Sequence, residues 1–474
     1  MASTFTVPNG SSMPAPPAPA DNPALRRFAL LTAAATFLLV WMGGLVTSHE
    51  AGMSVPDWPN TYGYNMFFFP VSKWLGGIFF EHTHRLVASG VGLLTTILAL
   101  WLFGRNSRPL LRWGGVLFLL AGIALCLIPQ SAIRNPQSWK VPGGTPATAG
   151  PDGIGTLPNP QSAIRPDGSG QSAIPPASHL GDDLLLAAIG ATSLAASFFW
   201  PKSEPSPKWL RWLGVAAFVA VAAQGVLGGL RVTLLKDQLG IFHATLAQLF
   251  FALMSVMALF QTKFWNHLPA RAESDTQGLR YFFAAAALMI LAQLALGATM
   301  RHQHAGLAIP DFPAAYHKIW PDTSPAAIVK YNQQRNEIQD YPPITAFQIV
   351  LQMVHRLTAG IIFVMAAICA WLARRQLGAR HLLSRLASAW FWLIVAQIGL
   401  GAATIWTGKK ADIATAHVAC GALSLALGGL ISMISFRCLA APARENCPAL
   451  KFVGESCMSS PGRLPSAPSG AKSM

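Results

Sequence analysis

Residues 43–59 read GGLVTSHEAGMSVPDWP, and residues 297–313 read GATMRHQHAGLAIPDFP. Each stretch ends an apolar run and enters a loop through AG-x-x-x-PD-[WF]-P. Two further pairs follow in the same order. THRLVASG around His84 and Arg85 answers VHRLTAG around His355 and Arg356, and AQGVLGGLRV at 223–232 answers AQIGLGAATI at 396–405. Each of the last two is followed by an apolar run whose first turns carry one histidine, His243 or His417. The chain therefore reads as two copies of a four-helix unit. Duplicated bundles are common in membranes and do not by themselves indicate transport.

Outward from these motifs, the composition calls for a bilayer. Of 474 residues, 52% are hydrophobic and 11% are charged, and mean hydropathy is +0.41. Soluble proteins carry about 25% charged residues, so a chain this apolar is placed in lipid. Ten runs are long enough to span or nearly span, at roughly 28–48, 78–103, 109–129, 182–200, 210–230, 241–261, 280–300, 345–373, 384–406 and 413–437, with ends defined to about 2–4 residues. About 20 residues cross the hydrocarbon, and backbone satisfaction in lipid makes each span a helix. The expected fold is an all-α integral membrane protein. It has two pseudo-twofold-related four-helix bundles plus an inserted transmembrane hairpin, about ten spans in all.

The net charge of +15 does not point to nucleic acid, because Lys and Arg cluster at the ends of apolar runs. Arg26 and Arg27, Arg105 and Arg108, Lys202 and Lys208, Lys263, Arg374 and Arg375, and Arg437 fall on one side if the spans alternate. The positive-inside rule makes that side cytoplasmic; Lys409 and Lys410 are a minor exception. Both termini are then cytoplasmic, and the loops 49–77 and 301–344 lie outside. Residues 1–27 are expected to form a disordered cytoplasmic tail, and 438–474 a cytoplasmic tail beyond the last span. Within an N-terminal unit at 28–261 lies the inserted hairpin 109–200. Its tip, 130–181, carries QSAI three times among Pro and Gly and reads as a disordered spacer. A second unit covers 280–437. No Arg-rich, acidic-poor transit peptide stands out, which favours a bacterial inner membrane. Of six cysteines, Cys126, Cys369 and Cys420 lie in apolar runs and Cys438, Cys447 and Cys457 in the tail, and no C-x-x-C pair occurs.

Four histidines carry the chemistry. His84, His243, His355 and His417 sit within apolar stretches, near the outer ends of their spans. Intramembrane histidines are costly and are functional candidates, although a single one can also serve a hydrogen bond between helices. Each bundle offers one from its second helix and one from its fourth. Two imidazoles facing across a bundle core suit axial ligation of haem iron. Zinc takes four protein ligands, or three plus water, and two histidines fall short. A proton relay leaves the paired symmetry unexplained. Arg85 and Arg356 are suited either to haem propionates or to snorkelling at the interface. Glu81 stands one turn before His84 on the same face, where the other half has Gln352. The difference suggests that one site does chemistry and the other keeps a permanent cofactor; the alternative is a carboxylate that simply meets water.

These residues resemble the haem A synthase family of cytochrome oxidase biogenesis. The resemblance rests on GGLVTSHEAGMSVPDWP, on E-x-x-HR at Glu81–Arg85, on GGLRV…HATLA around His243, and on HRLTAG and AHVACGAL around His355 and His417. It covers most of 28–437 apart from the extra hairpin, which departs from the family pattern. The cysteine pair found in an outer loop of some members is also missing here. The resemblance implies an oxidoreductase that converts the C8 methyl of haem O to the formyl of haem A, by two hydroxylations and loss of water. It implies a resident haem b on His355 and His417. It places His84 and His243 about the substrate haem, with Glu81 essential nearby. A haem O synthase and other cytochrome oxidase assembly factors are expected neighbours, and the sequence identifies no electron donor. The competing expectation is a dihaem b-type electron-transfer protein without a substrate of its own.

Overall fold

The computed structural model describes residues 22–127, 179–268, 277–336 and 343–439. Among them ten long helices follow the ten apolar runs. They are α1 (Pro23–Ser48), α2 (Gly76–Leu102), α3 (Arg108–Leu127), α4 (His179–Phe199), α5 (Lys208–Leu234), α6 (Asp237–Phe260), α7 (Gln277–His302), α8 (Ala346–Leu377), α9 (Leu382–Trp406) and α10 (Ala411–Cys438). Nine of the described helices are long and apolar enough to cross a membrane; α4 is apolar but falls short, over Asp183–Phe199. The QSAI repeats and most of both tails lie outside the described residues.

Two boundaries and one loop differ from the sequence expectation, each for a local reason. Helix α1 starts at Pro23, inside the expected tail, because the Asn22 side chain accepts from Leu25 N at 3.0 Å and proline presets the first turn. Helix α10 runs through Cys438, which is buried in the core and not part of a tail. The loop before α8 holds a further helix, Pro325–Asn336, whose polar sequence hides it from a search for apolar runs. Its Tyr331 ring stacks on Tyr316 at 3.6 Å. Helix α8 then opens on a capping box between Thr345 and Gln348.

Helices α1, α2, α5 and α6 pack in a ring, each against the next, and α7, α8, α9 and α10 form a second ring. Within each ring the first and third helices are diagonal, as are the second and fourth. The rings meet through α1, α6, α7 and α10. Helix α10 is the central element, with 67% of its apolar window buried against at most 39% elsewhere. Small residues let its neighbours close in. A Cβ at Gly428 would stand 2.6 Å from Trp390 Cζ2, and Trp390 Nε1 donates to Ser424 O at 2.8 Å.

The inserted pair α3–α4 packs chiefly on itself. A Cβ at Gly115 would lie 2.6 Å from Leu194 N, and Gly190 abuts the backbone of Leu119. This hairpin is therefore closed by backbone contact and leaves the first ring intact. Gly190→Leu is expected to splay it and lower stability in detergent by about 1–3 kcal/mol, the usual range for overpacking. Thermal unfolding measures that loss, and the ligand spectrum of the four histidines should not change.

Candidate functional site

All four histidines lie in the first three turns of their helices, at one end of the molecule. Helices α2 and α6 are diagonal in the first ring, and α8 and α10 in the second, so each pair of histidine-bearing helices faces across a bundle interior. His84 lies within electrostatic reach of His243, and His355 of His417.

Each imidazole rests against a glycine in the last two turns of the preceding helix. A Cβ at Gly43 would stand 3.2 Å from His84 Cε1, at Gly228 3.2 Å from His243 Cε1, at Gly297 3.3 Å from His355 Cε1, and at Gly401 3.1 Å from His417 Cε1. Four hairpins thus repeat one device. The rings are half-buried. Nδ1 of His84, His243 and His355 is sealed and unpartnered, which leaves Nε2 of these three imidazoles as the nitrogen for a ligand. His417 Nδ1 meets Gln397 O at 3.1 Å. Among the described residues no three His, Cys, Asp or Glu side chains gather to hold a metal ion, so the donor set is two imidazoles per ring. With glycine niches and sealed Nδ1 atoms, that set fits axial ligation of haem.

Two loops roof the histidine end, and they match bond for bond. Asp57 accepts from Tyr62 N and Gly63 N, both at 2.8 Å. Asp311 accepts from Tyr316 N at 2.8 Å and His317 N at 2.9 Å. The Tyr62 and Tyr316 hydroxyls donate to Ser54 O and Ala308 O, each at 2.6 Å. Arg85 donates to Asp57 O and Asn60 O at 2.7 and 3.1 Å, and Arg356 to Asp311 O and Ala314 O at 2.8 and 2.9 Å. Both guanidiniums therefore tie down the loops.

Beneath each loop lies a second latch. Val55 N donates to Glu81 Oε2 at 2.9 Å, and Ile309 N donates to Gln352 Oε1 at 2.7 Å. Glu81 is 4% exposed and Gln352 2%, so Glu81 does not simply meet water. Its Oε1 pairs with Arg85 at 2.8 Å, and Arg85 donates further to Val55 O at 2.9 Å. The two seats share the loop N–H bond and differ in the rest: Glu81 holds a charge against Arg85, whereas Gln352 Nε2 donates to Gly306 O and Ile309 O, both at 3.3 Å.

Other histidines have local roles. His82 is sealed between the Phe69 and Trp74 rings, at 5.0 and 4.7 Å, with Nδ1 3.2 Å from Thr61 Oγ1. His49 stacks on Phe80 at 4.2 Å, and His381 Nδ1 caps α9 by accepting from Leu383 N. The glycine niches were not apparent from residue types alone. A third AQ-x-x-LG segment, AQLALGA at 292–298, was the available signal. It emerges when hairpins are aligned with each other, and is missed when the two halves are compared.

A family model described as cytochrome oxidase assembly protein, COX15-CtaA, matches residues 185–428. That range includes His243, His355 and His417 and stops short of Glu81 and His84. A protein of Rhizorhabdus wittichii named "Heme A synthase" is 30% identical over 253 residues, 51% of this chain and 67% of its own. One of Cereibacter sphaeroides with the same name is 30% identical over 122 residues, 22% of this chain and 31% of its own.

Two outcomes follow from this geometry. Gly297→Ala is expected to push the His355 ring by a few tenths of an ångström, the order of its 3.3 Å contact's shortfall. If haem is held in the second ring, electron paramagnetic resonance should record a shifted low-spin signal from that haem alone. Burial raises the Tyr62 phenol above its usual 10.0, helped by Glu81 and Asp57 and opposed by Arg85. A raised value means that the contribution of Tyr62 to stability is complete below pH 10.0 and lost as pH rises through the folded value. Tyr62→Phe should remove this alkaline loosening of the loop, as read by limited proteolysis across that range.

Proposed function

The chain belongs to the cytochrome oxidase assembly protein family, and from that premise we propose that it is a haem A synthase, a membrane oxidoreductase that converts the C8 methyl of haem O to a formyl group. The first ring, within 28–261, takes haem O as substrate between His84 and His243. The second, within 280–437, holds haem b between His355 and His417. When bound, haem b supplies one-electron transfer. The family's place in oxidase assembly makes a haem O synthase the expected upstream neighbour. Clustered Lys and Arg put both termini on the cytoplasmic side of an inner membrane.

The observation that carries this proposal is the exchange of Glu81 for Gln352 in matched seats. Both side chains accept a loop N–H and keep the roof closed. A glutamine amide does not take up a proton at ordinary pH, whereas a carboxylate does. Converting a methyl to a formyl group moves protons together with electrons, so the substrate half is served by a side chain that can take or give a proton and the cofactor half does not need one. Glu81 stands one turn from His84 and can hold such a proton, with Arg85 stabilising its charged form. Arg85 and Arg356 serve the haems through the loops, keeping water from the buried histidine ends.

The test is a haem inventory. The full chain is expressed with a source of haem O, and its haems are extracted and separated by chromatography with mass detection. Wild type is expected to yield haem A or its hydroxylated precursor. Glu81→Gln should keep both haems, because Gln352 already fits that seat, and should lose conversion by about 10²-fold or more. Recovery of haem b alone from both proteins would make the chain a dihaem electron carrier. Unchanged conversion in Glu81→Gln would reduce Glu81 to a loop latch.

A further inference from the structure

Three of the four hairpins carry a glutamine four residues before the glycine that seats the histidine: Gln224 before Gly228, Gln293 before Gly297, and Gln397 before Gly401. In the α1–α2 hairpin the equivalent position, four before Gly43, is Leu39. Gln224 Nε2 donates to His243 O at 3.2 Å, and Gln293 Nε2 donates to His355 O at 2.9 Å. Gln397 meets His417 through its backbone carbonyl, 3.1 Å from Nδ1, while its side-chain Nε2 stands 3.5 Å from His417 Nε2.

The same residues hold matched unpaired atoms. Oε1 of Gln224, Gln293 and Gln397 is sealed without a partner, as is Nδ1 of His243 and His355. A buried acceptor and a buried ring nitrogen left apart are costly. Through their bonds to the histidine carbonyls, Gln224 and Gln293 fix the helical turn from which each imidazole projects. Holding that turn still orients the ring, as the outer partners of an iron ligand do. His84 has the glycine niche, but the apolar Leu39 side chain can make no such bond.

Resting on the haem A synthase proposal, we infer that Gln224 and Gln293 are positioning residues that hold His243 and His355 as iron ligands, as the Gln397 backbone carbonyl holds His417, and that Leu39 makes His84 the ligand that releases when substrate haem is exchanged. A resident cofactor needs two firm ligands, and the second ring has two. A substrate that must leave needs one that yields, and the first ring pairs a firm ligand with a loose one.

The full chain, purified in detergent and loaded with haem O and haem b, is mixed with excess apomyoglobin, and the haems remaining on it are quantified by chromatography over time. Wild type is expected to release haem O faster than haem b. Leu39→Gln should slow haem O release by about 10–100-fold, and Gln293→Leu should speed haem b release by a similar factor, the range for ligand-supporting residues. The low-spin resonance signal of the affected haem should shift in each variant. Gln224→Leu should speed haem O release, and together with Gln293→Leu it decides the matter if Leu39→Gln does not fold. Release rates and resonance signals equal to wild type in the folded variants overturn the inference, even where wild type makes haem A. A wild type that binds no haem O overturns the haem A synthase proposal itself.

Discussion

The site depends on one close approach, an imidazole against a glycine, made four times. Lipid offers little hydrophobic drive for one helix to pack on another, so small residues and van der Waals contact hold membrane helices together. Gly43, Gly228, Gly297 and Gly401 open the niche for each imidazole. A side chain larger than glycine at any of the four would move a histidine before it moved a helix.

The loops above depend on a second constraint, the need of buried backbone groups for partners. Val55 N and Ile309 N sit under their loops and are satisfied by Glu81 and Gln352. Arg85 and Arg356 collect the loop carbonyls on the other side. Either residue type, acid or amide, meets the structural demand at the latch. The chemistry of the two halves can therefore diverge at this position without changing the roof.

The insertion of α3 and α4 is tolerated for a related reason. Two added helices preserve the alternation of spans, and the pair is closed on itself through Gly115, Gly122 and Gly190. The ring of α1, α2, α5 and α6 closes beside it. The second ring docks through α10, where Ser48 and Thr415 hydroxyls meet at 3.0 Å, and through α7, from which Arg301 donates to Gly44 O at 3.1 Å. This brings the helix of His417 directly against the first ring.

Much of this was legible in the residues alone. Apolar runs of spanning length can only be helices in lipid, and the repeated PD-[WF]-P turns, HRL motifs and AQ segments established two four-helix units and the four histidines. The start of α1 and the polar helix Pro325–Asn336 escaped that reading, because caps and aromatic stacking do not register in hydropathy. What only the tertiary structure decided concerns partners distant in sequence. Which helices are diagonal, that Glu81 and Gln352 latch loops, that both arginines face loop carbonyls, and that each ring rests on a glycine all require the chain to be folded. A periodic pattern states which face of a helix is apolar, but the neighbour it meets is set by how the two rings close.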